Sequence, residues 1–264
     1  MTKLGFVGCG NMATAIIGGI LAKGLVSPED IYTSNSSAAS AARAKGLGVN
    51  AGTDNRAVVE AADVVFLSVK PQKYEAVIAE VRPALKPGQI VVTIAPGKTL
   101  SWLAERLGAD TKIVRTMPNT PALVGEGLTS YCPNANVTAD ELATVVALLE
   151  SYGVALQLDE HLIDAASAVG GSAPAFVYLF IEALADGGVA EGLPRAQAYE
   201  VAAQTVLGSA KMMLDTGKHP GQLKDEVCSP AGSTIKGMEV LEKAGLRGSV
   251  IDAVRTTAAA ARGL

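Results

Sequence analysis

The sequence predicts an α/β fold in two parts, a doubly wound parallel sheet followed by an all-helical domain. In residues 1–159, short apolar runs alternate with helical patterns, which is typical of βαβ units. From residue 160 to 264 the strand patterns stop, and long runs of Ala, Leu, Val and Met take their place. We therefore place a domain boundary between residues 159 and 160.

The predicted strands are rich in Val and Ile, and two of them are nearly continuous β-branched runs. These two, Val64–Val69 and Ile90–Ile94, are expected to be central strands covered on both faces. The other predicted strands are Leu4–Val7, Ile31–Thr33, Ile113–Arg115, Leu128–Tyr131 and Val154–Leu158. The predicted helices are Met12–Lys23, Ala38–Lys45, Ala139–Ser151, Ala175–Asp186, Arg195–Leu214, Thr234–Lys243 and Ser249–Ala261.

The charge and the cysteine and histidine content exclude several classes of binding partner. The formal net charge is −4 and basic residues are scattered, so neither a nucleic acid nor a membrane is expected as a partner. Three widely separated cysteines, Cys9, Cys132 and Cys228, form no disulfide framework, and with only His161 and His219 we expect no metal site. These features predict a reducing compartment, the cytoplasm.

Two uncharged stretches have alternative interpretations. Leu4–Ala22 superficially resembles a signal peptide, but its glycines interrupt the apolar part, and we expect a first strand there. Ala165–Ile181 is predicted to be too short and too polar at its start to span a membrane.

A glycine-rich segment lies between the first predicted strand and helix. It reads Gly8-Cys9-Gly10-Asn11-Met12-Ala13, a G-x-G-x-x-A pattern. Gly8 permits a tight turn, Gly10 lets a pyrophosphate approach the backbone, and the helix N-terminus offers N–H groups to the phosphates. In this strand–turn–helix context the pattern predicts a Rossmann-type dinucleotide site, although glycines also mark ordinary turns.

The choice of cofactor is expected at the end of the second strand, where NAD-binding proteins carry an acidic residue. Here the chain reads Ser34-Asn35-Ser36 without a carboxylate, which favours NADP, with NAD still possible. Arg43, Lys45 or Arg56 could add positive charge to this site. Alternatively, the three polar residues cap the next helix.

Further cofactor contacts are expected where later strands end, at the carboxyl edge of the sheet. Lys70 could equally be a solvated lysine. The predicted contacts there are Ser68, Val69, Lys70, Pro71, Ala95, Pro96 and Gly97, and Asn55 and Asn119 complete the predicted cofactor set.

The helical half contains Asp225-Glu226-Val227-Cys228-Ser229-Pro230-Ala231-Gly232-Ser233-Thr234-Ile235, a loop of small residues that leads into a helix. Such a loop offers backbone N–H groups to an anion, and Thr234 is expected to offer a hydroxyl at the cap. This run resembles the signature of pyrroline-5-carboxylate reductases. Other segments of the chain resemble the same family's motifs in the same order, including Val69–Pro71, Met117–Pro121, Gly171–Ala175, Ala185–Gly188 and His219–Asp225.

The resemblance implies NAD(P)H-dependent reduction of the C=N bond of 1-pyrroline-5-carboxylate to L-proline, the last step of proline biosynthesis. It implies that the amides of Ser233, Thr234 and Ile235 hold the substrate carboxylate, that Thr234 meets the ring nitrogen, and that Ser229 and Gly232 lie nearby. Ser172 could also contact the substrate, or alternatively its hydroxyl bonds to the local backbone. It also implies an interlocked homodimer whose active sites are completed by both copies. Assembly of such dimers into larger rings is a further alternative that the sequence leaves open. The apolar helices after residue 159 independently predict burial against a second copy.

Three residues depart from the family pattern. Ala231 and Ala173 stand where the family commonly has glycine, which matters only if φ is positive there. Glu226 stands where a neutral residue is common, and we expect it to point outward.

Two competing functions remain open at this stage. One is a β-hydroxyacid or prephenate type of dehydrogenase that uses Lys211 or Lys224, although both fit as solvated helix residues. The other is a non-catalytic NADP-binding paralogue, against which the intact Ser229–Ile235 segment argues.

Overall fold

The structure is a computed structural model that describes residues 2–262, without the side chains of Arg43 and Arg262. Its sheet has eight strands in the order β3-β2-β1-β4-β5-β6-β7-β8. All neighbouring strands are parallel except β6 and β7, which are antiparallel, so the predicted parallel sheet carries one reversed pair. The strands are β1 Leu4–Val7, β2 Ile31–Ser34, β3 Asn50–Gly52, β4 Val64–Leu67, β5 Ile90–Thr93, β6 Lys112–Met117, β7 Gly127–Pro133 and β8 Gly153–Gln157.

Apolar residues cover both faces of the sheet. β1, β4 and β5 are buried at every position, and for β4 and β5 the nearly continuous β-branched runs predict this burial. On one face Phe6 of β1 stacks on Phe66 of β4, with ring centroids 4.6 Å apart. On the other face Val65 and Val91 pack with the helices that follow β4 and β5. β1 lies between β2 and β4 and is parallel to both, so the carboxyl ends of these three strands lie side by side at the same edge of the sheet.

Twelve α-helices are described. The sequence analysis did not delimit α3, α4, α5, α7 and α10, which have only seven or eight residues each. The helices are α1 Asn11–Ala22, α2 Ala38–Lys45, α3 Asn55–Ala61, α4 Tyr74–Val81, α5 Leu100–Leu107, α6 Ala139–Leu149, α7 Glu160–Ser167, α8 Ala173–Ala190, α9 Arg195–Thr216, α10 Pro220–Val227, α11 Ser233–Lys243 and α12 Leu246–Arg262.

The chain forms two compact units. One runs to Ser172 and includes the chain from Thr257 onward, and the other is Ala173–Thr256. The structural division therefore lies 13 residues after the one that we placed at residue 159, which leaves α7 with the sheet. The reason is long-range packing: Ile163 of α7 contacts a cluster with Met117 and Cys132, and the buried Arg115 forms ion pairs with Glu160 and Asp164 of α7.

Residues Glu160–Ala190 form one helical run of 31 residues, in which a π-helical turn, Ala168–Ser172, joins α7 to α8. By length and composition this run could cross a membrane, so the expectation that this region is too short does not hold. A helix that is buried in protein would meet the same criterion, because both environments select apolar residues.

The second compact unit exposes many large apolar side chains. Val201, Leu207 and Leu214 of α9 are 55%, 57% and 81% exposed, and Val240 of α11 is 64% exposed. Its small internal cluster consists of Ala185, Ala198 and Ala202 with neighbouring Ile181 and Val189. Much apolar surface of this unit is therefore left for another partner to cover.

Candidate active site

The glycine loop after β1 has the geometry that its sequence predicts. Gly8 has φ +90°, and a Cβ atom at this position would lie 2.9 Å from the carbonyl oxygen of Ser68, so only glycine fits. A Cβ at Gly10 would meet no atom within 4 Å, because the loop is open on that side. Gly10 is the N-cap of α1 without a side-chain cap, which leaves the N–H groups of Asn11, Met12 and Ala13 without intrahelical acceptors.

Side chains from neighbouring strands hold this loop in place. The Ser68 hydroxyl, just after β4, donates a hydrogen bond of 2.7 Å to the carbonyl of Gly8. The Gly8 N–H donates to the carbonyl of Ser34 at 3.2 Å and also approaches the Ser34 hydroxyl at 3.3 Å. The residues at the ends of β2 and β4 therefore fix the turn that carries the free N–H groups.

A cleft of about 740 Å³ lies beside the loop at the carboxyl edge of the sheet. It brings together ten of the predicted cofactor residues, Gly8, Cys9, Gly10, Ser34, Asn35, Ser36, Asn55, Ser68, Val69 and Lys70. The other seven, which are not among its lining residues, are Asn11, Met12, Pro71, Ala95, Pro96, Gly97 and Asn119.

Five lining residues were missed by the sequence analysis. Lys73, Val77 and Glu80 follow β4 at spacings of four and three residues, a helical pattern that could have identified one face of α4. Ser40 and Thr53 carried no comparable signal, because β3 is only three residues long.

The polar residues after β2 have different roles: Asn35 bonds within the protein, and Ser36 faces the cleft. Asn35 is only 7% exposed, and its side-chain amide lies 3.4 Å from both Thr33 Oγ1 and the Gly52 carbonyl. Ser36 is exposed and lines the cleft. The cap of α2 comes from a different residue, Ser37, whose hydroxyl accepts from the Ser40 N–H at 3.2 Å. The alternative that Ser34–Ser36 cap this helix is therefore wrong.

The positive charge in the cleft comes from Lys70 and Lys73. Lys45 is not among the lining residues, and Arg56 donates through Nε to the Glu80 carbonyl at 3.0 Å. Of the predicted cations, the side chain of Arg43 lies outside the part of the chain that the structure describes. The Glu80 carboxylate accepts a hydrogen bond of 2.9 Å from Asn55, so one acidic group also lies in the cleft.

The strand-end turns after β4 and β5 are joined by Tyr74. Its hydroxyl donates to the carbonyl of Leu67 and accepts from the N–H of Ile94 at 3.3 Å. Burial raises the pKa of this phenol well above its usual value, so it remains a neutral donor. Ala95 is buried behind this contact, while Pro96 and Gly97 are partly exposed after β5.

The small-residue loop in the second compact unit leads directly into α11. Gly232 is the N-cap without a side-chain cap, and Thr234 is the second residue of the helix, so its hydroxyl lies in the first turn. The N–H groups of Ser233, Thr234 and Ile235 therefore have no intrahelical acceptors, and all three residues are exposed. Before them, the carbonyl of Ser229 accepts from the Gly232 N–H at 3.0 Å, which closes the turn.

The departures from the family pattern now have structural descriptions. Ala231 has φ +57°, the one positive φ among described residues other than glycine, so its Cβ strains the loop. Glu226 forms an ion pair with Lys218, 2.8 Å between Oε1 and Nζ, and this hydrogen bond lowers the pKa of the carboxyl group. Ala173 opens α8 directly after Ser172, the last residue of the π-helical turn.

The lysines of the competing dehydrogenase hypothesis lie on exposed helix surfaces. Lys211 pairs with Asp215 at 2.7 Å, and Lys224 pairs with Asp225 at 2.8 Å. Both pairs join residues of one helix, as expected of solvated side chains.

These features fit a bound dinucleotide. The loop has glycines where side chains would clash or block an approaching phosphate, the first N–H groups of α1 are free, and the cleft beside them is lined by hydroxyl groups and two lysines. Together they define an NADP-dependent oxidoreductase with a helical domain after its dinucleotide-binding domain. Residues 3–97 match the family model "NADP oxidoreductase coenzyme F420-dependent", and residues 160–264 match "Pyrroline-5-carboxylate reductase dimerisation".

Individual relatives are similar over nearly the whole chain. The pyrroline-5-carboxylate reductase of Escherichia coli is 49% identical over 254 residues, 96% of this chain and 94% of that protein. The NADP-bound crystal structure of Plasmodium falciparum pyrroline carboxylate reductase is 34% identical, with a TM-score of 0.91, and covers 99% of this chain and 97% of that one. The Coxiella burnetii pyrroline-5-carboxylate reductase structure is also 34% identical, with a TM-score of 0.92 and coverage of 99% and 98%. The chain belongs to the pyrroline-5-carboxylate reductase family.

Proposed function

We propose that this protein uses NADPH to reduce the C=N bond of 1-pyrroline-5-carboxylate to L-proline. The observation that carries this proposal is the open N-terminus of α11. The family's signature segment Ser229–Ile235 leaves three adjacent backbone N–H groups exposed there and uncapped. A compact carboxylate is the kind of anion that such a terminus binds.

For the cofactor, the residues of the cleft divide into two groups. The N–H groups of Asn11, Met12 and Ala13 would receive the pyrophosphate, and the open side of Gly10 would let it approach. Ser36, Lys70 and Lys73 would surround the 2′-phosphate on the adenosine ribose of NADP, since they supply one hydroxyl and two ammonium donors. The end of β2 carries no carboxylate that would repel this phosphate. When bound, NADPH supplies the hydride.

For the substrate, the amides of Ser233, Thr234 and Ile235 would hold the carboxylate while the Thr234 hydroxyl orients the ring nitrogen. Ser172 would contact the substrate from the π-helical turn, with Ser229 and Gly232 shaping the loop. A protonated imine is already electrophilic, so positioning supplies much of the rate and the chain needs no acid at this step. His219 is used elsewhere, because its Nδ1 accepts from the Gly221 N–H at 3.1 Å.

We also propose that the protein acts as an obligate homodimer in the cytoplasm, with each active site completed by the second copy and with the capacity to form larger rings. The matched dimerisation model and the exposed apolar side chains of α9 and α11 support the dimer. NADP is the expected cofactor, and NAD is a weaker alternative.

The test is NADPH oxidation by the purified protein with 1-pyrroline-5-carboxylate. Parallel reactions supply 3-hydroxyisobutyrate or prephenate with NADP in the oxidative direction. Proline formation only in the first reaction is the expected result. Turnover of 3-hydroxyisobutyrate or of prephenate would instead support the competing dehydrogenase, and NADPH binding without any turnover would support the non-catalytic paralogue.

A further inference from the structure

The buried side chain of Asn119 links two segments that are far apart in the sequence. Asn119 follows β6 and is only 9% exposed. Its Oδ1 accepts from the N–H of Leu128, at the start of β7, at 2.8 Å. Its Nδ2 donates to the carbonyl of Gly170 in the π-helical turn, also at 2.8 Å. Both ends of the amide are therefore bonded to backbone groups.

The Gly170 carbonyl cannot accept an α-helical hydrogen bond. In an α-helix it would accept from the N–H of residue 174, but Pro174 has no N–H. The helical run changes to π geometry over Ala168–Ser172 at this point. Such turns are frequent at functional sites, because they shift the register of the side chains that follow.

The same turn is packed closely against β7. A Cβ atom at Gly170 would lie 3.0 Å from Cδ2 of Leu128, the residue whose N–H Asn119 also holds. Asn119 thus ties the turn to the start of β7, and Gly170 leaves room for the Leu128 side chain between them. Ser172, the proposed substrate contact, is the last residue of that turn.

We infer that Asn119 is a positioning residue for the substrate side of the site: it holds the turn that carries Ser172 and does not contact the cofactor. This inference rests on the proposed function, because Ser172 is taken there to meet the imino acid. It replaces the sequence-based assignment of Asn119 to the cofactor. The physical reason is that the Asn119 side chain is only 9% exposed and that each end of its amide already makes one of its two possible hydrogen bonds to the backbone.

The test variant is Asn119→Asp, which keeps the acceptor for Leu128 but replaces the donor to Gly170 with a carboxylate oxygen that repels the carbonyl. We expect KM for 1-pyrroline-5-carboxylate to rise roughly 10- to 100-fold, because small displacements of a positioned group have effects of that size. The Kd for NADPH, measured by fluorescence quenching, should stay within about twofold of wild type.

The matched control is Asn134→Asp. Asn134 makes the same pair of bonds elsewhere between β6 and β7: its Oδ1 accepts from the Ile113 N–H at 3.1 Å and its Nδ2 donates to the Thr111 carbonyl at 2.8 Å. This control should lower Tm without changing KM. A rise in the NADPH Kd of Asn119→Asp, or equal KM changes in Asn119→Asp and Asn134→Asp, would overturn the inference.

Hydrogen exchange separates this inference from the proposed function. Faster exchange confined to residues 166–176 is expected in Asn119→Asp and not in Asn134→Asp, whatever the wild-type protein reduces. An unchanged exchange pattern would show that Asn119 does not hold the turn. A wild-type protein that does not reduce 1-pyrroline-5-carboxylate would contradict the proposed function alone.

Discussion

The Ser68 hydroxyl donates a 2.7 Å hydrogen bond to the carbonyl of Gly8, which connects the end of β4 to the glycine loop after β1. No residue with a side chain fits at position 8, because the φ of Gly8 is +90° and the Ser68 backbone lies too close for a Cβ atom. Ser68 thus sets the direction in which the first N–H groups of α1 point.

Ser68→Ala should therefore weaken NADPH binding. Loss of one hydrogen bond of about 1 kcal/mol corresponds to a roughly fivefold rise in KM for NADPH. KM for the imino acid at saturating NADPH should not change. Ser151→Ala is the control, because its hydroxyl makes a similar 2.7 Å bond to the Leu148 carbonyl outside the cleft. Equal effects of both variants would show that Ser68 has no special role.

Cofactor preference should respond to Ser36, the exposed residue at the end of β2. Ser36→Asp places a negative charge where a 2′-phosphate is expected, so the NADPH/NADH ratio of kcat/KM should fall about five- to tenfold. Ser36→Asn, which adds size without charge, should leave the ratio nearly unchanged. Asn35→Asp is a poorer test, because it removes the amide donors near Thr33 and Gly52 and should mainly lower Tm. A constant ratio in Ser36→Asp would place the selection elsewhere.

Thr234 is exposed at the second position of α11 and does not cap the helix. Thr234→Val keeps the shape and removes the hydroxyl, so kcat/KM for the imino acid should fall roughly 10- to 100-fold, about 1.5–3 kcal/mol. NADPH affinity should be unaffected. Thr144→Val on α6, where the hydroxyl only bonds to the Asp140 carbonyl, should have wild-type kinetics. Unchanged kinetics in Thr234→Val would remove Thr234 from the site.

Ala231 is strained, so glycine should stabilise the loop. Ala231→Gly removes the Cβ at φ +57° and should raise the free energy of unfolding by about 0.5–1 kcal/mol, after the entropy that glycine adds to the unfolded chain. Ala244→Gly at φ −73° is the matched control and should lower it by a similar amount. Thermal unfolding of both variants measures the difference, and Tm shifts of the same sign would contradict the explanation.

Assembly should depend on the exposed apolar face of α9. Leu207→Glu places a charge at a position that is 57% exposed in the single chain, and it should abolish assembly together with activity if a second copy covers it. Ala143→Glu on the exposed surface of α6 should change neither. Tm of the wild type should also fall on dilution. Light scattering that shows a fully active monomer of 27 kDa would contradict the dimer.

The sequence alone determined the features whose signals are contiguous. The first strand, the glycine turn and the first helix are encoded within residues 4–22, and their spacing predicted a conformation that the structure reproduces. The order of strands and helices predicted the fold class, and the Ser229–Ile235 segment, together with the other motifs, predicted the family. Each signal depends on residues near one another in the chain, so local patterns suffice.

Only the tertiary structure decided which residues that are far apart in the sequence contact one another. The buried Arg115 assigns α7 to the sheet unit through Glu160 and Asp164, and no local pattern at residue 160 indicates those ion pairs. Asn119 reaches Gly170 across 51 positions of sequence, and Glu80 of α4 lines the same cleft as Gly8 and Ser36, which precede it by many residues. A hydrogen bond or ion pair between distant residues has no periodicity along the chain, because its geometry exists only after the sheet has brought the two segments together.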